Sequence, residues 1–165
     1  MKKIFIGLFF LLVIDIFSKI GAIEWIPAMD TSSRLYPFGG IPIFHLFGIS
    51  FSLNYIVNTG AAWGFFSGHP SILFAIRIAI ISGFASYLLF FQKGEGLPKF
   101  PVWLILTGAI GNAIDYVLYG YVIDFFHFTF WGYSFPIFNF ADSYITLGVI
   151  GLLFSKSTEK TSQSL

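Results

Sequence analysis

Residues 101–118 read PVWLILTGAIGNAIDYVL, an apolar run broken by Asn112 and Asp115. A bilayer's hydrocarbon core of about 30 Å takes about 20 mostly apolar helical residues, and this stretch approaches that length. Gly108, Gly111, Asn112 and Asp115 share one helical face. Glycines there admit a neighbouring helix, and Asn112 with Asp115 aim polar groups at a bundle interior. Packing explains the glycines but not the Asp, because an ionisable group inside a span is costly and is a functional candidate by default.

Working outward, residues 4–23, 70–91 and 139–154 approach the same requirement, and the four stretches organise all 165 residues as one small membrane unit. The composition agrees: 56% of residues are hydrophobic, 21% aromatic and only 10% charged, with 23 Phe. That leaves too little polar surface to wrap a water-soluble globule, which excludes a soluble enzyme. Nine basic and eight acidic side chains are too sparse and balanced for a nucleic-acid footprint. Zero Cys removes disulfides, thiolate nucleophiles and Cys-based metal sites together. His45, His69 and His127 are scattered without a metal-binding spacing, and no glycine-rich cofactor motif appears, so neither metal nor cofactor is expected.

The lysines orient the chain. Lys2, Lys3, Lys93, Lys99, Lys156 and Lys160 lie in the N-terminal tip, the 92–100 loop and the 155–165 tail, whereas Arg34 is alone in loops 24–69 and 119–138. The positive-inside rule then puts both termini in the cytoplasm and those two loops outside. A basic tip before an apolar run also opens a cleavable signal peptide, but Asp15 and Lys19 interrupt the run and no clear small-residue cleavage site follows, so a retained span is expected. The outer loops are more than linkers: residues 49–55, ISFSLNY, alternate apolar with polar as a strand with one greasy face does. Residues 121–130 are rich in aromatic and β-branched types. A small outer sheet is expected, its apolar face toward lipid or substrate.

Asp15 and Lys19, spaced i, i+4, can pair on one helix face, as a structural ion pair or as part of a site. Asp124 sits in an apolar setting, Val122-Ile123-Asp124-Phe125-Phe126, that disfavours its charge. Asp142 follows a candidate N-cap, Asn139, where the helix dipole favours a carboxylate. Two acids in contrasting environments at one interface are what general acid–base chemistry uses. A merely capping Asp142 and a solvated Asp124 fit the same spacing.

Taken in order, Asp15-Ile16-Phe17-Ser18-Lys19, residues 58–64 (NTGAAWG), residues 108–115 (GAIGNAID) with 120–125 (GYVIDF), and residues 138–143 (FNFADS) resemble the motifs of bacterial lipoprotein signal peptidase, signal peptidase II, over nearly the whole chain. The resemblance implies an α-helical integral membrane protein of the bacterial cytoplasmic (inner) membrane, with four transmembrane helices and a β-sheet cradle at the outer interface. It implies an endopeptidase that cuts signal peptides from diacylglyceryl-modified prolipoproteins on the N-terminal side of the lipidated Cys; a monomer is expected. Asp124 and Asp142 would be the catalytic pair. Asn58, Gly60, Asn112, Asp115 and Asn139 fall at positions that line the site, and Asp15 and Lys19 would support it.

One position departs: the family commonly has Arg after the Asp of the third-span motif, and here it is Tyr116. Arg77, a cation inside the second stretch, is the expected substitute. Trp63 stands where Phe is commoner. The competing reading is a proton-coupled transporter or channel with Asp15, Lys19, Asp115 and Arg77 as a relay; it calls for a polar path across the bilayer, and no internal repeat favours it.

Overall fold

The computed structural model describes residues 2–30, 32–33, 35–59, 70–91 and 98–155. Helices occupy the four apolar stretches: α1 (Lys2–Trp25), α2 (Pro70–Ser86, extended by a π-helical turn Tyr87–Phe91), α3 (Lys99–Tyr119) and α4 (Phe140–Leu153). Between α1 and α2 lie strands β1 (Ile41–Leu46) and β2 (Ile49–Asn58), and between α3 and α4 lie β3 (Val122–Phe130) and β4 (Tyr133–Ser134). Among the described residues, Ile4–Trp25 and Lys99–Tyr119 are long and apolar enough to cross a membrane, while α2 and α4, at 17 and 14 residues, are apolar but shorter.

The central helix is α3, with Val102, Leu104 through Ala109 and Gly111 through Ala113 buried and Trp103 half-buried. It ends at Gly120, whose left-handed backbone (φ 81°) turns its N–H onto Tyr116 O at 2.9 Å. The face read from the sequence is used as expected for close approach. A Cβ on Gly108 would run into Ala141 O of α4, and one on Gly111 into the Asp15 carboxylate of α1. Much of α1 turns outward, with Phe5, Phe9, Phe10 and Phe17 exposed, the surface a lipid-facing helix offers.

The strands form one antiparallel sheet in the order β1-β2-β3-β4. The alternation in β2 becomes two faces: Phe51 and Leu53 pair with Phe128 and Phe126, and Ser50 and Ser52 pair with Thr129 and His127. The polar face is buried, because the segment after α1 folds across it. Asn54 Nδ2 donates to Pro37 O at 2.8 Å, and the Phe38 ring lies 5.0 Å from the His127 ring.

A bulge in β2 then matters for the site. Leu53 pairs with Phe126 and Ile56 with Asp124, so three steps along β2 match two along β3. One extra residue exchanges the faces of everything beyond it. Even-numbered residues that had lain on the polar face now join Asp124, and Asn58 is among them.

Candidate functional site

Three helices and the sheet converge on a cluster of buried polar groups, and Lys19 is its hub. The ammonium lies 2.8 Å from Asp15 Oδ2 and 2.9 Å from Asp115 Oδ2, and it donates to Asn112 Oδ1 at 3.0 Å. Its three N–H donors therefore have three acceptors. Lys19 and Asp15 are each 1% exposed, a cost that such pairing offsets.

Each carboxylate also takes a backbone donor. Asp15 Oδ1 accepts from Ala141 N at 2.8 Å, so a side chain of α1 caps the second residue of α4. Asp115 Oδ2 accepts from Ile123 N at 3.2 Å, which ties the end of α3 to β3. The first turn of α4 is capped again from within: Asn139 Oδ1 accepts from Asp142 N at 2.9 Å, and Asp142 Oδ2 accepts from Asn139 N at 3.4 Å, a capping box.

Asn139 also joins the two remaining acids. Its Nδ2 donates to Asp124 Oδ1 at 2.8 Å, Ile123 O at 3.1 Å and Asn112 Oδ1 at 3.1 Å. Asn112 in turn donates from Nδ2 to Asp142 Oδ1 at 2.7 Å. Asn58, carried to this face by the bulge, donates to Asp124 Oδ2 at 2.7 Å. Both oxygens of each acid thus receive a donor from a side-chain amide or a backbone N–H. Burial, and next the charge of Asp142, push the Asp124 carboxyl from its ordinary 3.8 up to about 7, against the hydrogen bonds of Asn58 and Asn139 and the Lys19 charge.

Of the residues singled out in the sequence, Asp15, Lys19, Asn58, Asn112, Asp115, Asp124, Asn139 and Asp142 are therefore members of one network. Gly60 and Trp63 lie outside the described residues, as does the side chain of Arg77. Tyr116 packs on α2, its ring stacked 4.6 Å from that of Phe74. Among the described residues no group of three His, Cys, Asp or Glu has the disposition of a metal site. The participants that sequence reasoning missed are the backbone N–H groups of Ala141 and Ile123, which no side-chain pattern announces.

A family model described as signal peptidase (SPase) II matches residues 7–157. The chain belongs to that family. The lipoprotein signal peptidase of Chlamydia caviae is 36% identical over 150 residues, covering 89% of this chain and 87% of that one. The lipoprotein signal peptidase of Clostridium acetobutylicum is 33% identical over 140 residues, with 84% and 83% covered. Among solved structures, a bacterial membrane enzyme determined by the in meso method at 1.9 Å aligns with a TM-score of 0.74 at 27% identity, covering 97% of this chain and 96% of that one. The peptidase shares its membrane-enzyme fold of helices and a small antiparallel sheet with that neighbour.

Proposed function

We propose that Asp124 and Asp142 are the acid–base pair with which this membrane aspartyl peptidase removes signal peptides from diacylglyceryl-modified prolipoproteins, cutting on the N-terminal side of the lipidated Cys. The observation that carries the pairing is Asn139, whose amide holds Asp124 Oδ1 while its oxygen accepts the Asp142 N–H. The charge count supports a shared proton. Among the described residues Lys19 is the single ammonium beside four carboxyls, and two of those, Asp15 and Asp115, already contact it. Asp124 and Asp142 are left facing each other's charge in a buried setting, where one proton held between them relieves the repulsion.

The reaction then needs no covalent intermediate. The Asp142 carboxylate takes a proton from a water whose oxygen attacks the scissile carbonyl carbon. Protonated Asp124 gives its proton to the carbonyl oxygen. The tetrahedral diol collapses as the C–N bond breaks; the amine takes the proton from Asp142, and a diol hydroxyl returns one to Asp124. One water is consumed and the pair ends with its single proton.

The depth of the site fits a lipid-anchored substrate. Asp15 meets the start of α4 ten residues before the end of α1 at Trp25, so α1 rises roughly 15 Å beyond the pair at 1.5 Å per residue. With four helices crossing, termini in the cytoplasm and the sheet outside, the pair sits inside the outer interface. Acyl chains buried beside the helices, at about 0.8 kcal/mol per CH₂, would set the peptide to that level. Gly60 belongs to this reading as a site-lining residue and Arg77 as a substrate contact, and unchanged affinity and turnover in Arg77→Gln would remove Arg77 from it.

The test is cleavage of a purified diacylglyceryl-modified prolipoprotein by folded wild type, Asp124→Asn and Asp142→Asn. Each variant is expected to lose about 10²–10⁴-fold in kcat, the worth of a positioned acid or base. Wild-type turnover in either variant rejects the pair, and equal cleavage of an unlipidated precursor rejects the lipid's role.

A further inference from the structure

Both hairpins of the sheet turn on an aromatic residue followed by glycine, Phe47-Gly48 between β1 and β2 and Trp131-Gly132 between β3 and β4. All four residues have positive φ, 51° and 80° in the first turn and 48° and 85° in the second. This is the type I′ pattern, for which Asn-Gly is the favoured pair and a bulky side chain is strained. A third such turn, Phe38-Gly39, uses its ring inside, against His127. Among the described residues nothing covers the other two rings: Phe47 is 85% exposed and Trp131 78%.

The two tips are one feature. Trp131 N–H donates to Gly48 O at 2.7 Å, and the indole lies over Gly48, where a Cβ would come within 2.7 Å of Nε1. The strands behind them continue the surface, for Ile43, Phe44, Leu46 and Tyr133 are all exposed. Residues 41–58 contain no Asp, Glu, Lys or Arg, and residues 119–138 contain only the buried Asp124. Exposed sheet edges in water carry charges that deter pairing, and these edges carry none.

We propose that the two tips form one aromatic prong lying in the headgroup–acyl boundary of the bilayer in which the helices sit, so that the sheet rests on lipid. Bilayer lipid is the occupant because the surface is uncharged, continuous with a membrane enzyme's apolar exterior, and ends in the residue type enriched at that depth. The aromatic face leads from the site to the prong through Phe126 against Phe140 (4.9 Å), Phe51 on Phe128 (4.5 Å) and Phe128 on Phe130 (6.1 Å). Anchoring the tip therefore fixes the depth of the strand that carries Asp124. The inference rests on the reading that the helices span the bilayer, and its test separates the two.

Wild type, Trp131→Phe and Trp103→Phe are reconstituted in phosphatidylethanolamine–phosphatidylglycerol vesicles with lipids brominated at graded depths. The wild-type minus Trp131→Phe emission is expected to be quenched most by bromines nearest the glycerol and little by aqueous iodide. The double variant Phe47→Asn with Trp131→Asn keeps turns that Asn-Gly favours, so it should melt in detergent no lower than wild type. Its kcat/KM should fall about three- to tenfold on vesicle-embedded substrate and stay within about twofold in detergent. Quenching of the Trp131 signal by iodide alone, while Trp103 of α3 is quenched by lipid, overturns the prong and leaves the spanning helices. Absence of lipid quenching at both overturns the spanning reading as well. Shielding of Trp131 that tracks protein concentration and not bromine assigns the surface to a second copy instead.

Discussion

Two buried polar clusters lie a few residues apart in this chain, and they are built differently. The cluster around Lys19 holds four carboxyls and one ammonium on α1, α3, β3 and α4. The cluster beneath the Pro37–Phe38 segment holds hydroxyls, an amide and two imidazoles: Ser52 Oγ donates to Asn54 Oδ1 at 2.6 Å, His45 Nδ1 lies 2.6 Å from Ser50 Oγ, and His127 Nε2 lies 2.8 Å from Ser134 Oγ. Neutral groups suffice to fasten a segment to a sheet, because each needs only one or two partners and costs little to desolvate. The charged cluster does both: Asp15, Lys19 and Asp115 tie α1, α3, β3 and α4 together, and Asp124 and Asp142 are the acids proposed to move a proton. The difference separates the neutral groups that fasten the sheet from the charged groups that the proposed function makes reactive.

Removing the hub should have the largest effect on stability. Lys19→Met leaves Asp15 and Asp115 buried without their cation, and breaking a buried pair in that way costs about 3–5 kcal/mol. Unfolding in detergent should show that loss, and adding Asp15→Asn with Asp115→Asn should recover most of it. A single Lys19→Met variant as stable as wild type would mean that the cluster is not held by charge.

How legible each cluster was in the sequence follows from the same contrast. Asp15, Lys19 and Asp115 stand out because charge is rare in apolar stretches; the i, i+4 spacing suggested the Asp15–Lys19 pair, and the face shared with Asn112 aimed Asp115 at the bundle interior. The strand at β2 was legible from its alternation, but the burial of Ser50, Ser52 and Asn54 depends on a segment folding back, which no period encodes. Strand β1 has Pro42 inside it and no alternation, so nothing marked Ile41–Leu46 as extended. The Asn58–Asp124 contact depends on one extra residue in the ladder, and Asn58 was reached only through the family resemblance.

The two clusters should also answer differently to pH. The Asp124 carboxyl, raised from 3.8 to about 7, binds a proton in the folded state that the unfolded chain has lost. Its contribution to stability is therefore full below 3.8 and is lost as pH rises through about 7. Asp124→Asn should flatten that decline, by on the order of a few kcal/mol for a shift of this size, when unfolding is followed from pH 4 to 8. On the proposed mechanism, kcat/KM of wild type should fall above about 7, as the Asp124 carboxyl loses its proton.

The smallest effect should come from the neutral cluster, and its sign should be opposite. His127 is 1% exposed and its Nδ1 has no hydrogen-bond partner among the described residues. Burial holds its protonation below the ordinary 6.5, so its contribution is present above 6.5 and is lost as pH falls through the lower folded value. Acid, which favours the fold through Asp124, loosens it through His127. His127→Phe should remove the acid-side loss and cost about 1 kcal/mol or less at neutral pH, the worth of one hydrogen bond to Ser134. Because that change leaves all eight members of the charged cluster in place, the pH profile of kcat/KM should not move. If either limb of that profile shifts in His127→Phe, the imidazole acts on the proton held between Asp124 and Asp142, and the division between a fastening cluster and a reacting one fails.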